Sequence, residues 1–132
     1  MKNNMVMMVL CRRFIGDLLM EAFKKRGYSK TISIYEFKRA KNAALVYNPA
    51  VALIEIPERH GEPALEALAV CEDIKEASPG CKVMLMCPEI DEKSVESCIE
   101  AKKDNKIEDF LFYDSSIDYL VSKLKSMQVS KE

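Results

Sequence analysis

The sequence predicts a doubly wound α/β fold with a five-stranded parallel sheet. Two observations carry that prediction. Short apolar runs alternate with longer amphipathic segments along the whole chain. The apolar runs are mostly continuous rather than alternating, which is the pattern of strands covered by helices on both faces. Five strands interleaved with five helices imply right-handed crossovers and a parallel sheet. At 132 residues, the whole of 1–132 reads as one domain with no output domain attached.

Each element has its own signal. Met5 to Leu10 is continuously apolar and reads as the first strand. Phe14 to Arg26 follows as a helix, with Phe14, Ile15, Leu18, Leu19, Ala22 and Phe23 on one face and Gly27 as its stop. Thr31 to Phe37 is β-branched and aromatic and suits an edge strand. Lys38 to Tyr47 is a weaker helix, ended by Asn48-Pro49, and Val51 to Ile56 is the third strand. Pro63 opens a helix to Ala77, with Leu65, Leu68, Cys71 and Ile74 on one side, and Ser78-Pro79-Gly80 breaks it. Lys82 to Cys87 is the fourth strand. Asp91 caps a helix to about Lys103 whose apolar face, Val95, Cys98 and Ile99, is thin. Ile107 to Phe112 is the fifth strand. Ser115 and Asp118 form a capping box for a last helix with the stripe Ile117, Leu120, Val121, Leu124 and Met127.

For such a chain the expected arrangement is flavodoxin-like, with strand order 2-1-3-4-5 and a functional crevice outside the carboxyl ends of the strands. The residues at those ends are Leu10-Cys11, Glu55, Cys87-Pro88 and Phe112-Tyr113. They are the candidates for chemistry.

Composition removes several function classes. Net charge is −1 and the pI about 6.0, so the basic excess of a general nucleic-acid or anionic-membrane surface is absent. No apolar run approaches the roughly 20 residues that span a bilayer. The N-terminal apolar run meets Arg12 and Arg13 rather than small cleavage-site residues, so it reads as a core strand and not a signal peptide. The five cysteines, Cys11, Cys71, Cys81, Cys87 and Cys98, are widely spread, with no CxxC pair and only His60 for company. That spacing predicts no zinc site. It reads as free thiols in a reducing cytoplasm.

The candidate sites differ in strength. LCRRFIGD, after the first strand, lacks the glycines and hydroxyls of a phosphate cradle, so no flavin or nucleotide cofactor is expected. Cys11 stands near a helix start and two arginines, which opens a second reading: a small α/β thiol enzyme or phosphocarrier with a Cys11 nucleophile. His60 lies in a charged turn and reads as solvated. Glu55 is the sharpest feature, because a carboxylate at the end of an apolar strand needs a partner. Arg12 and Arg13 are the candidates, at a rim expected to be partly wet.

From Met5 to about Met127 the chain resembles a response-regulator receiver (CheY-like) domain. VALIEI resembles the third strand, with Glu55 on the phospho-accepting Asp. KVMLMCPE resembles the fourth, with Cys87 on the Thr or Ser, and IEDFLFYDS the fifth, with Tyr113 on the Lys and Asp114 on the following Pro. Leu10 and Cys11 fall on the acidic pair, and Phe110 on the switch aromatic. Pro57 and Gly61 come earlier than the family's loop residues do.

The resemblance implies two-component signal transduction. The substitutions imply a degenerate member, a pseudo-receiver. Receivers hold Mg²⁺ with oxygen ligands, and Mg²⁺ and the Lys neutralise the transferred phosphoryl group. Here Leu10, Cys11 and Tyr113 supply neither ligand set nor cation. The expectation is a module that is not an enzyme, has no cofactor or metal, and acts by protein–protein contact without phosphorylation. Glu55 would then be a remnant of the acceptor or a fixed imitation of its phosphorylated form. The expected partner is a protein supplied in trans, or a second copy, through helix 4, strand 5 and helix 5.

Overall fold

The computed structural model describes residues 5–27 and 30–129. Five strands, β1 (Val6–Val9), β2 (Thr31–Ile34), β3 (Val51–Glu55), β4 (Lys82–Cys87) and β5 (Asp109–Phe112), form one parallel sheet. Its order is β2-β1-β3-β4-β5, as the alternation of elements predicts. The helices are α1 (Arg13–Lys25), α2 (Ala40–Tyr47), α3 (Pro63–Ala77), α4 (Glu92–Lys103) and α5 (Ile117–Val129). Among the described residues no helix is long and apolar enough to cross a membrane.

The continuous apolar runs have a simple cause. Successive side chains on a strand point to opposite faces. Met7, Val9, Ala52, Ile54, Val83, Leu85 and Cys87 therefore enter one core layer, with buried residues of α2, α3 and α4. Val6, Met8, Leu10, Val51, Leu53, Met84, Met86 and Leu111 enter the other, with Leu19 and Phe23 of α1 and Leu120, Val121, Leu124 and Met127 of α5. Both layers must be apolar, so neither face shows an alternating pattern.

Local signals explain several boundaries. Gly27, at φ +88°, follows the end of α1 in a conformation glycine adopts without strain. Pro63 occupies the first turn of α3. The Asp91 carboxylate accepts hydrogen bonds from the Ser94 amide at 3.5 Å and the Ser94 hydroxyl at 2.8 Å, capping α4.

Four local expectations need correction. β2 ends at Ile34, because Phe37–Arg39 turns into a short 3-10 helix leading into α2. The α5 cap is Ser116, whose hydroxyl accepts from the Tyr119 amide at 3.1 Å. Ser115 instead uses its amide to close the turn on the Phe112 carbonyl. On α3 the buried face is Ala64, Ala67, Val70, Cys71 and Ile74, which leaves Leu65 exposed. On α1 the buried residues are Gly16, Leu19, Ala22 and Phe23, while Phe14 is 63% and Leu18 51% exposed. Gly16 has a reason: a Cβ there would collide with the Tyr35 hydroxyl.

Candidate functional site

Sheet register brings the strand ends level. Glu55 on β3 stands beside Met86 on β4, and the Tyr113 amide donates to the Cys87 carbonyl at 3.1 Å. The Leu10 amide donates to the Ile34 carbonyl at 2.8 Å. Leu10, Glu55 and Tyr113 follow the strand alternation onto the α1–α5 side of the sheet. Cys87 follows it onto the opposite side, with α3 and α4.

Glu55 is only 1% exposed. The partly wet rim expected for it is therefore a dry site. A carboxylate can stay there only if its oxygens are satisfied. They are: the Cys11 amide donates to Oε1 at 2.8 Å, and the Arg12 Nε donates to Oε2 at 2.6 Å. Arg12 is the last residue before α1, so the chain turns from strand to helix where its side chain can reach across to β3. The guanidinium also lies over the Tyr113 ring, 4.3 Å from its centre. A cation over an aromatic face is attracted to the ring's negative quadrupole. The Tyr113 hydroxyl donates to the Ile56 carbonyl, which fixes the ring under Arg12. Arg13, the other candidate partner, turns away and stacks on Tyr35 at 4.4 Å.

The result is a four-part unit: a backbone amide, a carboxylate, a guanidinium and a ring. Burial and the nearby Glu55 charge push the Tyr113 phenol well above its ordinary value, so it stays protonated. Burial, and then Glu55, also push the Cys11 thiol up, outweighing Arg59 and Arg12. That disfavours a thiolate nucleophile at the one exposed cysteine. Alkylation of Cys11 by iodoacetamide should therefore be accessible but slow at neutral pH, speeding up only as pH rises through and beyond the range of a free thiol. A rate plateau below pH about 7 would show the low-pKa thiolate that the thiol-enzyme reading requires.

The residues at the crevice do not fit a magnesium ion. Leu10 is buried and apolar, Cys11 offers a thiol, and both Glu55 oxygens already accept internal hydrogen bonds. Mg²⁺ demands several hard oxygen ligands. No group of three or more His, Cys, Asp or Glu among the described residues could hold a metal ion. His60 is exposed in the loop before α3.

Cys87 and Phe110 are not part of the unit around Glu55. Both join the layer on the α3–α4 side, where Phe110 meets Phe112 edge to face at 5.9 Å. Cys98, on the thin apolar face of α4, is buried in the same layer.

No family model matches the sequence, and no curated protein does. Solved structures match its fold throughout. The receiver domain of the Francisella response regulator 1452 superposes with a TM-score of 0.79 at 18% identity, covering 98% of this chain and 100% of that one. The beryllofluoride-activated NtrC4 receiver domain dimer gives 0.78 at 19% identity, covering 96% and 98%. An adenylate cyclase from Rhodopirellula baltica gives 0.79 at 12% identity, covering 95% and 87%. The strand order, the five covering helices and these superpositions together establish that the chain has the fold of response-regulator receiver domains.

Proposed function

We propose that this chain is a non-catalytic signalling module of receiver fold that acts through protein–protein contacts and without phosphorylation. One observation carries the reading: the Glu55 carboxylate, where a receiver would accept phosphate, is already neutralised by Arg12 and held by the Cys11 amide. A receiver pocket gathers charge for an incoming phosphoryl group and its metal. This one closes its charge internally. Glu55 then holds the β1–α1 junction against β3 permanently, which corresponds to a locked state rather than a switch.

The contact surface in this reading is the face of α4, β5 and α5. Ile90, just before α4, is 83% exposed, and Ile99 and Tyr119 are also solvent-facing. Asp109 on β5 ties the two helices, accepting from Lys102 at 3.0 Å and pairing with Lys123 at 2.5 Å. These bonds hold the relative positions of α4 and α5. A protein in trans is the partner, and a second copy of the chain could use the same face. Sedimentation at high concentration separates the two uses, since a strict monomer argues against the second.

The test of the reading is incubation with acetyl phosphate and Mg²⁺, followed by intact mass and amide NMR. The expected result is no phosphoryl gain and no saturable Mg²⁺ shift at Leu10 or Cys11. A stable single phosphoryl adduct on Glu55 would overturn it.

A further inference from the structure

β2 is an outer strand of the sheet, with β1 as its one strand neighbour among the described residues. Two bonds fix the direction of its backbone. The Lys30 carbonyl accepts from the Val6 amide at 2.9 Å, and the Ile34 carbonyl from the Leu10 amide at 2.8 Å. Even-numbered residues therefore turn their amides and carbonyls inward to β1, and Thr31, Ser33 and Tyr35 turn theirs outward. Such an outward row is a template for another strand. Natural edges are commonly blunted by charge or proline, and the stretch TISIY, Thr31 to Tyr35, has neither.

The sequence along this edge is self-complementary about Ser33. KTISIYE sets Ile32 against Ile34, Thr31 against Tyr35, and Lys30 against Glu36. A two-fold interface sets residue i against j and j against i, which is the order an antiparallel pairing of two copies needs. Lys30 and Glu36 are both exposed. Glu36 keeps an extended backbone, at φ −138° and ψ 127°, which carries the strand direction past Tyr35. Glu36 also pairs at 3.7 Å with Lys38 and at 3.8 Å with Arg39, solvent-exposed contacts of little strength. A second observation points to the same axis. The Ser33 hydroxyl is buried with no hydrogen-bond partner, which is uncommon in a folded protein.

We propose that β2 pairs antiparallel with β2 of a second copy of this chain, about a two-fold axis at Ser33, joining the two sheets into one. Ser33 then faces Ser33 of the second copy and Thr31 faces its Tyr35, each pair exchanging both backbone N–H to carbonyl bonds. Rotation about the Cα–Cβ bond turns the two Ser33 hydroxyls toward each other, so each unpartnered oxygen gains a partner. Ile32 stands opposite Ile34 on the α2 side, where both already pack on the core. Lys30 stands opposite Glu36 at each end of the pairing, an attraction that symmetry doubles. The flank of α2 extends the contact. Val46 and Tyr47 are exposed, and with Ile34 and Ala43 they line a groove of about 670 Å³ beside the edge. The axis sets this flank beside its own copy. A net charge of −1 does little to keep two copies apart. The pairing uses up the β2 edge of both copies, so assembly through this edge closes at the dimer.

This goes beyond the proposed function, because it places self-association at β2 and leaves the face of α4, β5 and α5 to a partner in trans. The experiment uses the full chain, with sedimentation equilibrium and amide hydrogen exchange read by NMR. The expected result is a monomer–dimer equilibrium. The Thr31, Ser33 and Tyr35 amides should exchange about tenfold slower at high than at low protein concentration. The Ile32 and Ile34 amides, turned toward β1 in either state, should change little. Lys30→Glu brings two carboxylates together at each end and should weaken the dimer about tenfold. Glu36→Lys should do the same, and the two changes combined should restore it. Both positions are exposed, so these variants keep the fold. Ser33→Pro removes an outward amide without touching the β1 ladder and should abolish the dimer. If that variant does not fold, the charge exchange decides the matter.

A strict monomer at the concentrations used for NMR would overturn the proposal. So would a dimer indifferent to Lys30→Glu and Glu36→Lys, or concentration-dependent protection confined to α4, β5 and α5. Weakening by each single change without recovery in the combination would overturn the pairing about Ser33. None of these measurements reads phosphorylation. A failure here leaves the non-phosphorylated reading standing, and phosphoryl uptake at Glu55 leaves the β2 pairing standing.

Discussion

Replacing Arg12 with Met should lower folding stability by about 3 kcal/mol, the lower end for stripping a buried ion of its partner. The low end applies because Arg12 is itself 34% exposed, while Glu55 is 1% exposed. The methionine keeps much of the stem that packs beside Tyr113, so the loss is chiefly one of charge. Glu55 would keep only the Cys11 amide as a donor in a site that excludes water. Glu55→Gln should cost less, about 2 kcal/mol, the range for a lost charge-assisted hydrogen bond. The guanidinium left behind can turn toward solvent, whereas the carboxylate cannot. The double variant buries no unpaired charge. Its cost should fall below the sum of the single costs by about 2 kcal/mol. Urea unfolding followed by far-UV circular dichroism measures all three. Additive costs would mean that Arg12 and Glu55 do not stabilise one another, and the internally closed pocket would lose its basis.

Phe23→Ala should cost about 4 kcal/mol, the range for removing a fully buried aromatic side chain and leaving a cavity. Phe23 is 0% exposed and joins α1 to the layer formed with β1, β3, β4 and α5. That loss is a large part of the total stability expected of a single domain. Phe14→Ala is the internal control. Its ring is 63% exposed, so the change should stay within about 0.5 kcal/mol. Equal effects at the two positions would mean that α1 presents a different face to the sheet.

Phe14 and Phe23 also show where sequence reading runs out. Both belong to the stripe Phe14, Ile15, Leu18, Leu19, Ala22 and Phe23, and nothing in its periodicity ranks them. The stripe is broader than the surface the sheet offers. Packing selects Leu19, Ala22 and Phe23, and it admits Gly16, which no hydrophobic pattern marks, because the Tyr35 ring sits there. Leu65 on α3 is displaced from the core for the same reason: the alanines Ala64 and Ala67 let that helix sit close to the sheet.

The site divides the same way. That Glu55 needs a partner was legible, because a carboxylate at the end of an apolar strand cannot be left alone. Arg12 and Arg13 were equally eligible by sequence. The structure gives Glu55 to Arg12 and Tyr35 to Arg13. It also separates Cys87 from Glu55, although both end neighbouring strands, because alternation sends them to opposite faces of the sheet.

Element order, strand order and the position of the crevice are written in local periodicity, since burial repeats with the period of each helix or strand and parallel crossovers have one hand. The pairing of Arg12 with Glu55, across 43 positions, and the stacking of Arg13 on Tyr35 are not local. They depend on register and on how each helix lies across the sheet. Those are decided only when the two core layers pack, because close-packed interiors allow a side chain few alternative neighbours.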